Sequence, residues 1–296
     1  MWGGTNMTGN NGRKSFMRDW QDRRLDLSTR IAVITGAARG IGRATAQALA
    51  RDGVKAAAVV DQLDQIVDFA DEANEFFGRK ALVPFKGDVT SSDFRRHVFE
   101  EMQSLYGPVS ICVPAAGITG DRLAVKINSD DGQIDIYPEE RFERIVEVNL
   151  TAPIYWALQT IASVAQYRHE QGLKMWQPEE HVQGCIVFIG SVSSGGNRGQ
   201  ISYATTKAGL EGAQGTLSAE AIFHGMRCAI IHPGFTDTAM VRAMGEQFIN
   251  DHILPQTQLR RLILPEEIAD AICFLIRNAS VSGQLWADAG WHPANS

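Results

Sequence analysis

Tyr203 and Lys207 stand four residues apart in the run YATTK. On a helix that spacing puts both side chains on one face, about one turn apart. An unperturbed phenol titrates near ~10, too high for proton transfer at neutral pH. A neighbouring ammonium favours the phenolate and lowers that value. The pair could then pass a proton to or from a substrate oxygen. Such pairs are common on helix surfaces, so the other residues near it matter. Ser191 directly follows an apolar run (IVFIGS), where its hydroxyl could hold a substrate oxygen beside the phenol. Asn149 lies in VEVNL, near the end of a helical stretch, and could carry a water linking Lys207 to solvent.

A second constellation would bind phosphate. The run TGAARGIG (35–42) follows an apolar segment and opens a helical one. Gly36 can make the tight turn, Gly40 lets the backbone approach a pyrophosphate, and Gly42 lets the helix pack on the strand. The helix N-terminus then offers free N–H groups to anionic oxygens. There is no GK[ST], which excludes a P-loop. Asp61 ends the next apolar run, where a carboxylate accepts both ribose hydroxyls and repels a 2′-phosphate. That favours NAD over NADP, and the following Gln62 adds no positive charge. Arg39 argues the other way, because a basic residue in the glycine loop could reach a 2′-phosphate.

These residues need a scaffold, and the pattern predicts one. Short apolar runs at 31–35, 54–60, 81–86, 109–113, 186–189, 227–231 and 284–287 read as strands. Helical stretches at 40–53, 62–78, 91–106, 138–149, 152–168, 202–223 and 265–277 lie between them. Continuous apolar strands separated by crossover helices make a doubly wound α/β domain with a parallel sheet. Two segments break the rhythm and read as loops, 126–137 with its Asp130-Asp131-Gly132 turn cluster, and 169–184. Residues 1–28 read as an extension, a mobile arm or one that docks on a neighbouring subunit through Phe16 and Trp20. Asp19, Asp22 and Asp26 dilute the arginines that a mitochondrial presequence would need. Met240, Met244 and Phe248 recur at helical spacing and face either core or substrate. His232 reads as a packed core residue.

Composition narrows the classes. Lys plus Arg total 28 and Asp plus Glu 34, a net charge of −6. A mildly acidic chain gives no electrostatic case for nucleic acid or anionic lipid as the main partner. No apolar run approaches the ~20 residues of a membrane span. Four scattered cysteines, none in a CxxC pair, fit a reducing compartment, the cytoplasm. None of the seven histidines shows ligand spacing, so no metal is assigned.

The combination resembles the classical short-chain dehydrogenase/reductase family over residues 29–291. The resemblance rests on TGAARGIG, Asp88-Val89, the AAG of 115–117, Asn149, Ser191, Tyr203-x-x-x-Lys207, and Pro233-Gly234 with Thr238. It implies one Rossmann-type domain, 29–296, with a seven-stranded parallel sheet, and hydride transfer between nicotinamide and a carbonyl or carbinol carbon. Tyr203 would be the general acid/base, and Lys207 would hold the nicotinamide ribose and lower the tyrosine pKa. Ser191 would orient the substrate oxygen, and Asn149 would complete a proton relay. Asp88 and Val89 would meet the adenine. Ile41 would sit with Arg39 in the glycine loop, and Ala116 and Gly117 would admit the cofactor ribose. Thr236 and Thr238 would hold the carboxamide after the Pro233-Gly234 turn. The branches most alike are the 3-oxoacyl reductases and 3-hydroxyacyl dehydrogenases, which makes 3-oxoacyl thioesters candidate substrates. Two alternatives stand beside this: an NADP(H)-dependent carbonyl reductase, and a non-catalytic dinucleotide-binding protein on the same fold. The family implies a homotetramer, or a homodimer, paired through the helices at about 138–168 and through the C-terminal strand and helix. Three departures follow: Pro114-Ala115-Ala116-Gly117 stands where NNAG is usual, the Ser191–Tyr203 gap is one residue short, and the C-terminal double glycine reads Ala289-Gly290.

Overall fold

The computed structural model describes residues 24–291. β-Branched and small apolar residues form the central strands because both faces of the sheet are covered. In β1 (Ile31–Thr35), β2 (Ala56–Asp61) and β4 (Val109–Pro114) every residue is buried. With β3 (Leu82–Lys86), β7 (Gly184–Ile189), β8 (Met226–Pro233) and β9 (Gly283–Ala287) they make a seven-stranded sheet in the order β3-β2-β1-β4-β7-β8-β9. Every neighbouring pair is parallel. The order reverses between β1 and β4, so a crevice opens beyond their carboxyl ends.

Helices cover both faces. On one side α1 (Gly40–Arg51), α2 (Gln65–Phe77) and α7 (Pro265–Arg277) pack around Leu49, Phe69 and Ile272. On the other lie α3 (Ser92–Leu105), α5 (Ala152–Glu170) and α6 (Ile201–Glu220), with fully buried Trp156 among Phe99, Ile186 and Phe188. The seven-stranded α/β architecture is the expected one. Leu25 and Leu27, read from the sequence as part of an N-terminal extension, are buried in the first core, and Leu25 N–H bonds to the Arg277 carbonyl. The packed chain therefore starts before residue 29, because two leucines at i, i+2 find cover against α7. Phe16 and Trp20 lie outside the described residues.

The two irregular segments have separate fates. Residues 126–137, expected as a loop, hold an antiparallel hairpin of β5 (Val125–Ile127) and β6 (Ile134–Ile136). Asn128 and Gln133 close its turn, with Gly132 at φ 71°. Strands of three residues are too short for periodicity to reveal. An Arg122–Asp135 ion pair ties the hairpin to the segment before it, and the Tyr137 hydroxyl, bonded to the Gly120 carbonyl and to Ser202, ties it to α6. Residues 169–184 fold back at the amino ends of β7 and β8, away from the crevice. There Trp176 packs over Gly225, and Glu180 pairs with buried Arg168. Among the described residues no helix is long and apolar enough to cross a membrane.

Candidate active site

The glycine loop leaves β1 and turns into α1. Gly36 sits at φ +66°, and a Cβ there would come within 2.7 Å of the Ala116 backbone. A Cβ on Gly42 would lie 2.2 Å from the Gly36 carbonyl oxygen, so the helix meets the turn only because Gly42 lacks a side chain. Arg39 precedes the helix in extended conformation with no side-chain cap. The first N–H groups of α1 are therefore left for a ligand, as an anion site needs. Asp61, buried at the end of β2, accepts from Ala38 N–H (3.0 Å) and Leu63 N–H (3.2 Å), one bond on each carboxylate oxygen. It holds the glycine loop and keeps further lone pairs for hydroxyl donors.

The fourth strand solves the problem posed by Pro114. The Thr35 carbonyl accepts from Ala115 N–H, and the Thr35 hydroxyl from Ala116 N–H at 3.2 Å. Asn149 then clamps the following residues. Its amide donates to the Ile118 carbonyl (2.8 Å) and its Oδ1 accepts Ile118 N–H (2.9 Å). It is presented by a π-helical turn, Glu147–Thr151, between α4 (Glu139–Val146) and α5, a device frequent at functional sites. Asp88 accepts from the Thr90 N–H and hydroxyl and pairs with Arg144. Burial raises its pKa, but those partners outweigh it and hold the carboxyl below its usual value. Val89 offers its carbonyl to the Trp156 indole.

Ser191 follows β7. Its Oγ accepts Ser193 N–H (3.0 Å) and meets the Tyr203 hydroxyl. Tyr203 and Lys207 share one face of α6, with the ammonium 5.4 Å from the ring centroid and donating to the Ile189 carbonyl (2.7 Å). Burial pushes the Tyr203 phenol above its ordinary value, the Ser191 hydrogen bond pulls it back, and the Asp121 charge raises it further. The depression expected from Lys207 is not found, and enclosure of the phenol sets the direction. Burial alone lowers Lys207 to about 8. Beyond β8, Gly234 packs against the Asp288 backbone, where a Cβ would come within 2.7 Å, and the Thr236 hydroxyl bonds to the Gly234 carbonyl. Thr238 accepts Val241 N–H and starts a short helix, Ala239–Arg242.

Two adjoining cavities join these parts. The first, about 490 Å³, is walled by Gly36, Arg39, Gly40, Ile41 and Gly42, then by Asp61, Asp88 and Val89. It runs past Ala116 and Gly117 to Tyr203, Lys207 and Thr238. The second, about 410 Å³, holds Ser191, Pro233, Gly234 and Thr236. Met240, Met244 and Phe248 line its apolar side. Tyr203 and Thr238 border both. Asn149 lies behind the wall, acting on it through Ile118. Arg144, Thr35, Asp121 and Trp291 also belong to the site and were not foreseen. Arg144 stands among Glu139, Glu140, Glu143 and Glu147, so its letters read as a solvated face.

Comparison with known proteins agrees with the fold. The short chain dehydrogenase profile matches residues 30–248. The chain is 31% identical over 260 residues to 3-oxoacyl-[acyl-carrier-protein] reductase FabG of Escherichia coli, covering 85% of this chain and 91% of the relative. It is 31% identical over 262 residues to (3R)-3-hydroxyacyl-CoA dehydrogenase of Canis lupus familiaris, covering 85% and 90%. Acetoacetyl-CoA reductase of Shinella zoogloeoides is 30% identical over 248 residues, covering 83% and 90%. Among solved structures, a short-chain type dehydrogenase/reductase from Mycobacterium marinum superposes with a TM-score of 0.74 at 26% identity, covering 90% of this chain and 96% of that one.

Proposed function

Because the chain belongs to the short chain dehydrogenase family, oxidoreductases acting on CH–OH or carbonyl groups, we propose that it transfers hydride between NAD(H) and a secondary alcohol or ketone. 3-Oxoacyl thioesters are the first substrates to test, since three similar proteins carry such names. One observation carries the reading: the Tyr203 hydroxyl meets Ser191 where the two cavities join, with Lys207 one turn away.

The residues present fit a dinucleotide. The uncapped start of α1 would receive the pyrophosphate, and Asp61 the adenosine ribose. Asp88, Val89 and Arg144 would border the adenine. Lys207, Ala116 and Gly117 would hold the nicotinamide ribose, and Thr236 and Thr238 the carboxamide. When bound, the reduced nicotinamide supplies hydride to the carbonyl carbon.

The chain itself manages the oxygen. Ser191 holds the carbonyl oxygen by its hydroxyl, and Tyr203 delivers a proton to that oxygen as negative charge develops. A phenol held above its ordinary pKa is protonated at neutral pH and is ready as an acid. Lys207 stabilises the phenolate left behind. Proton resupply would run from solvent to Lys207 through a water held by the amide N–H of Asn149 that Ile118 leaves over. Met240, Met244 and Phe248 give the second cavity an apolar side that would shield a bound carbonyl from water. NADH oxidation should be seen with acetoacetyl-CoA or longer 3-oxoacyl thioesters. NADH binding without turnover on thioesters and simple ketones alike would instead support the non-catalytic alternative.

Asp61 decides the nucleotide. Its buried carboxylate, fixed by two backbone N–H groups, leaves no room for a second anion. NADH should bind at least tenfold tighter than NADPH, a difference of about 1.4 kcal/mol. Asp61→Ala should narrow that gap. Fluorescence titration checks both, and equal or tighter NADPH binding would assign the cofactor to Arg39 instead. A cytoplasmic homotetramer, or a dimer, is the expected assembly, with Tyr155 and Leu158 exposed along α5 for such pairing.

A further inference from the structure

His232 is fully buried yet has no part in the chemistry above. It lies on β8, one residue before the Pro233-Gly234 turn, with its ring stacked on Trp286 of β9 at 4.3 Å and 17°. The ring also meets Gly190, where a Cβ would come within 2.6 Å of Nδ1. Nδ1 itself lies 3.3 Å from Ser191 N and 3.2 Å from Ser191 O.

The main-chain bonds decide which contact is real. The Ser191 carbonyl already accepts Ser194 N–H at 3.0 Å and the Ser194 hydroxyl at 2.8 Å, which uses both lone pairs. The Ser191 N–H is buried, and among the described residues His232 Nδ1 is its acceptor. Burying that N–H unpaired would be costly. Nδ1 must therefore be unprotonated, with the ring proton on Nε2. Nε2 faces Glu211 Oε1 at 4.0 Å, and Gln284 reaches the same carboxylate at 3.5 Å. Among the described residues Nε2 makes no hydrogen bond, and Glu211, one turn beyond Lys207 on α6, places a carboxylate 4.0 Å from it.

We propose that His232 is a positioning residue for Ser191, its neutral Nε2–H tautomer fixing the Gly190–Ser191 peptide and so aiming the Ser191 hydroxyl at Tyr203. Gly190 is required by the ring, since any side chain there would displace it. Burial lowers the His232 pKa against the pull of Glu211 and Gln284 and keeps the ring neutral, nearby Lys207 acts in the same direction, and an N–H donated to Nδ1 itself favours the uncharged ring. This inference rests on the assignment of Ser191 and Tyr203 given above.

Nitrogen-15 NMR of histidine-labelled protein, with the His232 signal assigned by its loss in His232→Asn, tests the tautomer without any substrate. The expected result is an unprotonated Nδ1 and a protonated Nε2 from pH 6 to 8, with the Ser191 amide signal shifted in His232→Leu. Kinetics with NADH and acetoacetyl-CoA test the consequence. His232→Leu should lower kcat by about tenfold, the effect of a displaced orienting group, with KM and NADH affinity little changed. His232→Asn, whose Oδ1 can accept where Nδ1 does, should recover most of that loss, and Gly190→Ala should reproduce it. A protonated Nδ1, or equal losses in the Leu and Asn variants with NADH binding intact, overturns the proposal. If the wild type turns over no carbonyl, the reductase reading has failed, and the tautomer and the Ser191 shift still decide the positioning.

Discussion

Tyr203→Phe is expected to lower turnover by on the order of 10²-fold or more, the scale of general acid–base assistance, while NADH binds as before. The substitution removes one oxygen from a half-buried ring, and α6 keeps its place through Lys207, Leu210 and Gln214. Stopped-flow reduction and equilibrium titration separate the two effects. The pH dependence follows from the two shifts. The Tyr203 phenol is raised by burial, so it is protonated through the neutral range. Lys207, lowered to about 8 by burial, carries its charge below that pH and loses it above. Carbonyl reduction should therefore be flat between pH 6 and 7.5 and fall on the alkaline side. Alcohol oxidation, which needs the phenolate, should rise with pH. Wild-type rates in Tyr203→Phe would remove the phenol from the mechanism.

Gly36→Val is expected to weaken NADH binding by on the order of 10²-fold or more. At φ +66° a β-branched residue is strained by about 1–3 kcal/mol, and its Cβ would lie 2.7 Å from the Ala116 backbone. The loop can respond only by moving away from β4, which strains the bond that Ala38 N–H donates to Asp61 and shifts the uncapped start of α1. Gly36→Ala tests the same contact with less bulk and should fall between the two. Circular dichroism checks that the sheet survives, and fluorescence titration reads the affinity. Unchanged NADH affinity in both variants would place the nucleotide outside this loop.

The parts of the molecule legible from the letters are those with a short-range physical cause. A glycine at a left-handed turn, a run of buried β-branched residues and a tyrosine four residues before a lysine each declare themselves locally. The sheet order beyond β1 follows once crossovers are right-handed and helices cover both faces. Contacts between distant segments were less visible. Thr35 replaces a missing asparagine only because β1 and β4 are neighbours in the sheet. Leu25 and Leu27 look like tail residues until α7, some 240 positions later, covers them. The hairpin at Val125–Ile136 has three-residue strands and is held by an ion pair and a tyrosine hydroxyl, not by an apolar period. His232 shows the same limit for chemistry. Its role depends on the carbonyl of Ser191 being already satisfied, which no spacing reports. The Tyr203 pKa is raised chiefly by enclosure, and enclosure is a property of the folded cleft.

Deuterium tracing tests the whole reading in one measurement. With NADH labelled at the transferable C4 position, acetoacetyl-CoA and wild-type protein in ordinary water, mass spectrometry of the alcohol should find the label on the carbinol carbon, one atom per NADH consumed. The same mixture with Tyr203→Phe should yield little product. Label lost to solvent, or an equal yield from the variant, would contradict a proton delivered by Tyr203 to an oxygen whose carbon receives hydride.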